Sequence, residues 1–202
     1  TAMSAITQTR PMLIAREVNV RGATGCRGAR PRPRSATSRT SAYTTLKTSI
    51  CRIAGAQLAR FYGVPSHTTA PNSDNHAHDE QNSWEKTLSQ FCSVASRHDL
   101  IVNCGMFATG MTCSNEQLVI DGEISAMSRR LAEGIVVSKD TIARDLIEQI
   151  GPQGESYLTT DHTLRWLRSA EHMIPRLAVR GPLQTWVAAG SKDTYALAAD
   201  AV

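Results

Sequence analysis

From Ile50 onward two hydrophobic periods alternate along the chain, and this alternation constrains the fold more than any other feature. Ile50, Ala54, Leu58 and Phe61 recur at helical spacing, with Gly63 placed as a C-cap and Pro65 beyond it. Residues 64–68 then read as a short strand, and 70–83, rich in Asn, Asp, Ser and His, as a loop. Helical spacing returns over 84–97, with Trp84, Leu88, Phe91 and Ala95 on one face. The apolar run 99–104, closed by Gly105, predicts a buried strand. A glycine-bearing loop, 105–113, leads to Ser114, an N-cap with Gln117 three residues on, as in a capping box. The helix after it carries Ile120, Ile124, Met127 and Leu131 and stops at Gly134. Further helices are expected from Ser138 to Ile150, burying Ile142, Leu146, Ile147 and Ile150, and over 160–173, with Leu164, Leu167 and Ala170 inward. Helix, strand, loop, helix, strand, loop, helix is the order of an α/β protein with parallel strands. Two strands are too few for a closed sheet, so a barrel built this way would be missing most of its wall.

The first fifty residues are of another kind. They hold nine Lys or Arg and one acid, Glu17, whereas residues 51–202 hold thirteen bases and seventeen acids. The overall charge of +4 therefore hides a basic segment joined to an acidic one. Residues 21–41 are Arg, Gly, Pro and Ser with almost nothing apolar to bury, so disorder is expected for 1–47. A nucleic-acid-binding arm fits the charge, but no aromatic residue lies between Arg10 and Ser41 to stack on bases. A frameshifted, non-native origin of this segment is the third reading.

Hydrophobic residues make up 41% of the chain and charged residues 20%, and no run approaches the length of a membrane span. The opening residues carry no apolar signal-peptide core, so a cytoplasmic protein is expected, with neither nucleic acid nor membrane as partner. Five scattered cysteines without a CxxC argue against a disulfide framework or a zinc ribbon, and buried free thiols are expected. Cys92 and Cys104 read as core residues, and Cys113, near a helix start, is the better placed for reactivity. Gly105 and Gly110 precede Met111-Thr112 rather than Lys-Ser, which excludes a P-loop.

Three passages carry a family likeness. Residues 57–65, Gln-Leu-Ala-Arg-Phe-Tyr-Gly-Val-Pro, lead to a loop whose Asp74, Asp79, Gln81, Glu85 and Lys86 match D-x-K-x-x-D-x-Q-x-x-Y-E-K, with His76 for the Lys and Trp84 for the Tyr. Residues 105–123 are similar to G-x-L-x-x-G-L-T-x-S-x-E-Q-L-V-x-D-x-E. Residues 140–176 are similar to a passage with E-x-I-G-P-x-G-x-Y-L-x-x-x-H-T-L-R that ends in P-R-L. Colinear over about 140 residues, these passages resemble the C-terminal part of the trimethylamine methyltransferase family.

The resemblance implies a fold and a chemistry. The fold is the C-terminal portion of a (β/α)8 TIM-type barrel over residues 48–193, with 194–202 as a tail. In such barrels the loops at the C-terminal ends of the strands carry the chemistry, and 69–83 and 105–113 stand there. The activity implied is transfer of a methyl group from a quaternary or tertiary amine to a corrinoid protein, feeding methanogenesis or one-carbon metabolism. The corrinoid (cobalamin) sits on that partner and supplies a Co(I) nucleophile, and the chain holds no tightly bound cofactor of its own. Some members carry pyrrolysine in the first loop, and the matching position here is Asn72, so the likeness is to the glycine betaine methyltransferase-like branch. An amide forms no covalent amine adduct, and a quaternary ammonium needs none. A socket for it calls for aromatic faces and carboxylates. Asp74, Asp79, Gln81 and Trp84 are the candidates, with Glu116 reaching from the next helix.

Each has a structural reading beside the functional one: helix packing for Trp84, Asx turns or an N-cap for Asp74 and Asp79, backbone pairing for Gln81. Glu116, Asp121 and Glu123 read together as a polar helix face, and Asp161-His162 as a helix cap. Ala108 stands where the family often has an acid. His76 and His78 could share a zinc on a strand, but in a loop they read as solvated or structural, and no metal is expected. The competing reading of the whole is a truncated, non-catalytic fragment. A part-barrel exposes sheet edges and apolar faces, so an oligomer is expected.

Overall fold

The computed structural model describes residues 46–202 except Gln153 and Glu155. The expectation of disorder for 1–47 falls outside those residues but for Leu46 and Lys47, which open the first helix. The described residues belong to one compact unit.

Helix α1 (Leu46–Tyr62) ends at Gly63, whose positive φ of 65° closes the C-cap expected there. Strand β1 (His67–Thr69) follows, then helix α2 (Glu80–Ala95) and strand β2 (Leu100–Val102). β1 and β2 pair in parallel, with His67 opposite Leu100 and Thr69 opposite Val102, so β1–α2–β2 is a βαβ unit. Side chains fasten both ends of the pair. At the start, Asp99 Oδ2 accepts from Ser66 N at 2.7 Å and Ser66 Oγ at 2.9 Å. At the finish, Arg52 Nε on α1 donates to the Thr69 carbonyl at 3.1 Å.

Beyond β2 the 105–113 loop closes as a small antiparallel hairpin, β3 (Met106–Phe107) and β4 (Thr112–Cys113). Helix α3 (Asn115–Glu133) packs on α2, and α2 packs on α1. The short helices α4 (Lys139–Ile142), α5 (Arg144–Ile150), α6 (Asp161–Leu167) and α7 (Leu183–Ala188) follow. Residues 194–202, set apart above as a tail, contain helix α8 (Thr194–Asp200), which packs on α3 with Ala198 fully buried. No described helix is long and apolar enough to cross a membrane.

The α/β order expected from the sequence is present, but the buried faces are not those expected. α1 buries Ser49, Arg52 and Ala56, while Ile50, Leu58 and Phe61 are exposed, Phe61 to 79%. α2 buries Asn82, Lys86, Ser89, Gln90 and Ser93, leaving Trp84 and Leu88 outward. On α3 only Ile124 of the predicted apolar face is buried, and Leu131 is exposed. Leu100 and Val102, predicted to be buried, are also exposed. Periodicity identifies which face of a helix is apolar, not what lies against it. Here the helices meet through small and polar side chains, such as Gln90 Nε2 donating to Ser125 Oγ at 3.0 Å.

The later helices depart from expectation too. The one predicted from Ser138 to Ile150 is two, broken at Ala143, whose φ of 51° is left-handed. Ile142 and Ile147 are exposed there, and Leu146 and Ile150 only half-buried. The 160–173 helix is shorter, Asp161–Leu167, with Leu164 and Leu167 exposed. Its cap is Thr160, whose Oγ1 accepts from Thr163 N at 3.2 Å, not the Asp161-His162 pair. Of the described cysteines, Cys51, Cys104 and Cys113 are exposed rather than buried, and Cys92 is half-buried, a setting that pushes its thiol pKa up.

Candidate functional site

The loops that follow β1 and β2 lie against each other. Ala108 N donates to the Asn75 carbonyl at 2.9 Å and Thr109 N to the Ser73 carbonyl at 3.1 Å. Asn103, Ala108 and Thr109 all have positive φ, unusual for non-glycine residues and grouped in this one segment. Gly105, at φ 84°, packs so closely on α3 that an added Cβ would sit 3.2 Å from Leu118 Cβ.

Asn72 is 3% exposed, and its polar groups are engaged. Its backbone N donates to Ser89 Oγ at 2.9 Å and its Nδ2 to the Thr69 carbonyl at 3.0 Å, while its Oδ1 accepts from Asn103 Nδ2 at the end of β2. Asp74 is half-buried, and its backbone N donates to Glu85 Oε2 at 2.9 Å. Ser73 Oγ donates to the same oxygen at 2.9 Å, and Gln81 Nε2 to Glu85 Oε1 at 3.0 Å. Glu85 thus brings Asp74 and Gln81 together. Asp79 caps α2, its Oδ1 accepting from Gln81 N at 2.9 Å, Asn82 N at 3.2 Å and Asn75 Nδ2.

Trp84 lies apart from this cluster, 62% exposed on the side of α2 opposite Asn82, Lys86 and Ser89, so it does not pack between helices. Glu116 is half-buried in the first turn of α3, and the side-chain bonds joining α3 to the loops are made by its neighbour Gln117, to His78, and by Asp121, to Gly105 N.

Beneath the loops lies a buried ion pair that the sequence reading passed over. Lys86 and Asp121 are both 0% exposed, with Nζ 2.9 Å from Oδ2. Nζ also donates to the Met106 carbonyl at 2.6 Å and the Pro71 carbonyl at 3.3 Å, one on each loop. Asp121 Oδ2 accepts from Gly105 N at 2.7 Å, and Oδ1 from Gln117 Nε2 at 2.8 Å. Burial pulls the Lys86 pKa down and pushes that of Asp121 up, each opposed by the other's charge. Three acceptors around Nζ call for the three protons of an ammonium, so the pair is ionised. Asp121 therefore belongs to the interior, not to a polar helix face, whereas Glu123 accepts from Arg176 N at 2.8 Å near the surface.

Ser114 caps α3 as expected, accepting from Gln117 N at 3.1 Å. The Gln117 side chain does not return the bond. Its Oε1 meets His78 Nδ1 at 2.8 Å instead. The His78 ring lies between Phe107 and Tyr195, with centroids at 4.7 and 4.6 Å, while His76 is exposed. No group of three or more His, Cys, Asp or Glu side chains is placed to hold a metal ion among the described residues. Two open clefts lie elsewhere, one between α1 and β1 (Arg52, His67, His98) and one at α4–α5 (Asp140, Arg144, His162), and neither gathers the predicted site residues.

The signals for the buried network were present in the sequence: Lys86, Gln117 and Asp121 are themselves letters of the motifs quoted above. What the sequence lacked was their pairing, because 35 positions separate Lys86 from Asp121.

A βαβ unit with its polar residues gathered on the loops beyond the strand ends is the arrangement of an α/β protein that binds ligand at that end of the sheet. The trimethylamine methyltransferase family model matches residues 18–202, and the chain belongs to that family. The match begins inside the basic segment, well before the first motif at Gln57. The chain is 37% identical over 147 residues to the trimethylamine methyltransferase MttB of Methanosarcina barkeri (strain Fusaro / DSM 804), covering 73% of this chain and 29% of that protein. It is 33% identical over 138 residues to MttB of Desulfitobacterium hafniense (strain DSM 10664 / DCB-2), covering 68% and 27%. To the glycine betaine methyltransferase of Desulfitobacterium hafniense (strain Y51) it is 33% identical over 134 residues, covering 66% and 28%. The chain thus spans under a third of the length of these relatives. The relatives named here are themselves trimethylamine and glycine betaine methyltransferases.

Proposed function

We propose that the chain is the C-terminal part of a (β/α)8 methyltransferase acting in the cytoplasm, and that it takes a methyl group from a quaternary amine such as glycine betaine. The observation that carries the substrate reading is the state of Asn72. Its amide is buried and bonded at both ends to the strand termini, so it offers no group to form an adduct with an amine. A tertiary amine in need of such activation is the poorer substrate. A quaternary ammonium already carries a neutral leaving group.

The half-buried carboxylate of Asp74 in the first loop suits an ammonium cation by charge. The Co(I) nucleophile is supplied by a corrinoid that a partner protein carries. Asp74 and Asp79 attract the cation, Gln81 and Glu85 hold Asp74 in place, Glu116 stands in the first turn of α3, and Trp84, outward on α2, lies outside this group.

Purified chain, reduced corrinoid protein and glycine betaine should together yield methylated corrinoid, seen as loss of Co(I) absorbance, with dimethylglycine as product. Turnover with trimethylamine and none with glycine betaine would refute the substrate reading. A second reading, an inactive fragment, has its own support in the exposure of Phe61, Leu131 and Trp84. Absence of turnover with either amine, from a chain that folds, favours it.

A further inference from the structure

We propose that Lys86, Asp121 and Gln117 are positioning residues of the ammonium site, a buried clamp that sets the two loops in register; this rests on the functional reading above. One ammonium group, Lys86 Nζ, grips the Pro71 carbonyl beside Asn72 and the Met106 carbonyl at the start of the second loop. One carboxylate, Asp121, grips Lys86 and the Gly105 backbone at the root of that second loop. The loops then bond to each other through Asn75 with Ala108 and Ser73 with Thr109, on either side of Asp74. The clamp acts together with those two backbone bonds and with the bond from Asn103 Nδ2 to Asn72 Oδ1 to hold the first loop in register with the second.

The donor pattern runs in one direction. Both Asp121 oxygens accept, so Gln117 must turn its Nε2 to Oδ1 and its Oε1 to His78. His78 must therefore donate from Nδ1, which fixes its tautomer from the far end of the network. Asp121→Asn keeps the shape and introduces two N–H bonds among the donors from Lys86, Gly105 and Gln117. Only Gln117 can turn over to accept, and it then presents its own N–H to His78, whose proton must move to Nε2.

This gives a readout that a merely structural role would not move. Long-range proton–nitrogen spectra of the full chain, recorded above neutral pH, should show the Nδ1-H tautomer of His78 and, in Asp121→Asn, the Nε2-H tautomer. Amide exchange at Gly105, Ala108 and Thr109 should quicken in the variant while amides within α1 keep their rates. Affinity for tetramethylammonium and for glycine betaine should fall about tenfold or more, as expected when a site's geometry slips. Asp99→Asn, a change at the opposite end of the strands, should leave tautomer and affinity alone. If Asp121→Asn does not fold, Gln117→Leu must release the His78 tautomer and weaken the same affinities. An unchanged tautomer with unchanged loop exchange overturns the clamp, and loosened loops with unchanged affinity overturn its positioning role. A wild-type chain that binds neither cation refutes the functional reading and the positioning role together, while tautomer and exchange still decide whether the clamp exists.

Discussion

Lys86 and Asp121 are buried together, and the energetics of such a pair are asymmetric. Taking both charges out of water offsets much of their attraction, yet removing one partner leaves the other charged and dry. Lys86→Met should therefore lower stability by about 3–5 kcal/mol in urea unfolding. Lys86→Met with Asp121→Leu should recover part of that loss. The recovery stays incomplete, because Gly105 N and Gln117 Nε2 lose their acceptor. Asp99 behaves differently. Hydrogen bonds from Ser66 N and Oγ hold its pKa below the usual carboxylate range. A depressed folded value adds stability above the unfolded value of about 3.9, lost as pH falls through the folded one. Asp99→Asn should thus weaken the chain at neutral pH, with the deficit shrinking in acid, as urea midpoints across that range would reveal.

At the level of elements, caps and stops were legible, and faces were not. Gly63, Ser114, Gly134 and Ser138 mark helix ends in the sequence because local chemistry decides there: a left-handed cap, a hydroxyl accepting from the first turn. Asp79 belongs with them. Asp79→Ala should destabilise α2 by about 1 kcal/mol, visible in thermal unfolding, and should free Asn75 from the loop that it helps to shape. The buried side of α2 was illegible because it carries Asn82, Lys86, Ser89 and Ser93, which a search for apolar periodicity assigns to solvent. The candidate site divides in the same way. Asp74, Asp79 and Gln81 stood in one motif, and the structure joins them through Glu85 and the α2 cap. The pairing of Lys86 with Asp121 needed the fold.

At the scale of the whole molecule, the apolar side chains left outward on α1 and α2 among the described residues predict self-association. Ile50, Leu58, Phe61, Trp84 and Leu88 are exposed, and large side chains of this kind favour association. Sedimentation of the purified chain should show self-association that grows with concentration, with Phe61→Glu and Trp84→Glu reducing it. A chain that stays monomeric at high concentration would show that these residues are tolerated in water.

The stacking of Tyr195 on His78 has a practical consequence for anyone watching this protein move. It links the last helix to the first loop through a single ring, seven residues from the chain's end. A fluorophore attached at Val202 would be a local reporter on that loop, sensing whether an arriving cation disturbs it, without a label at the site itself.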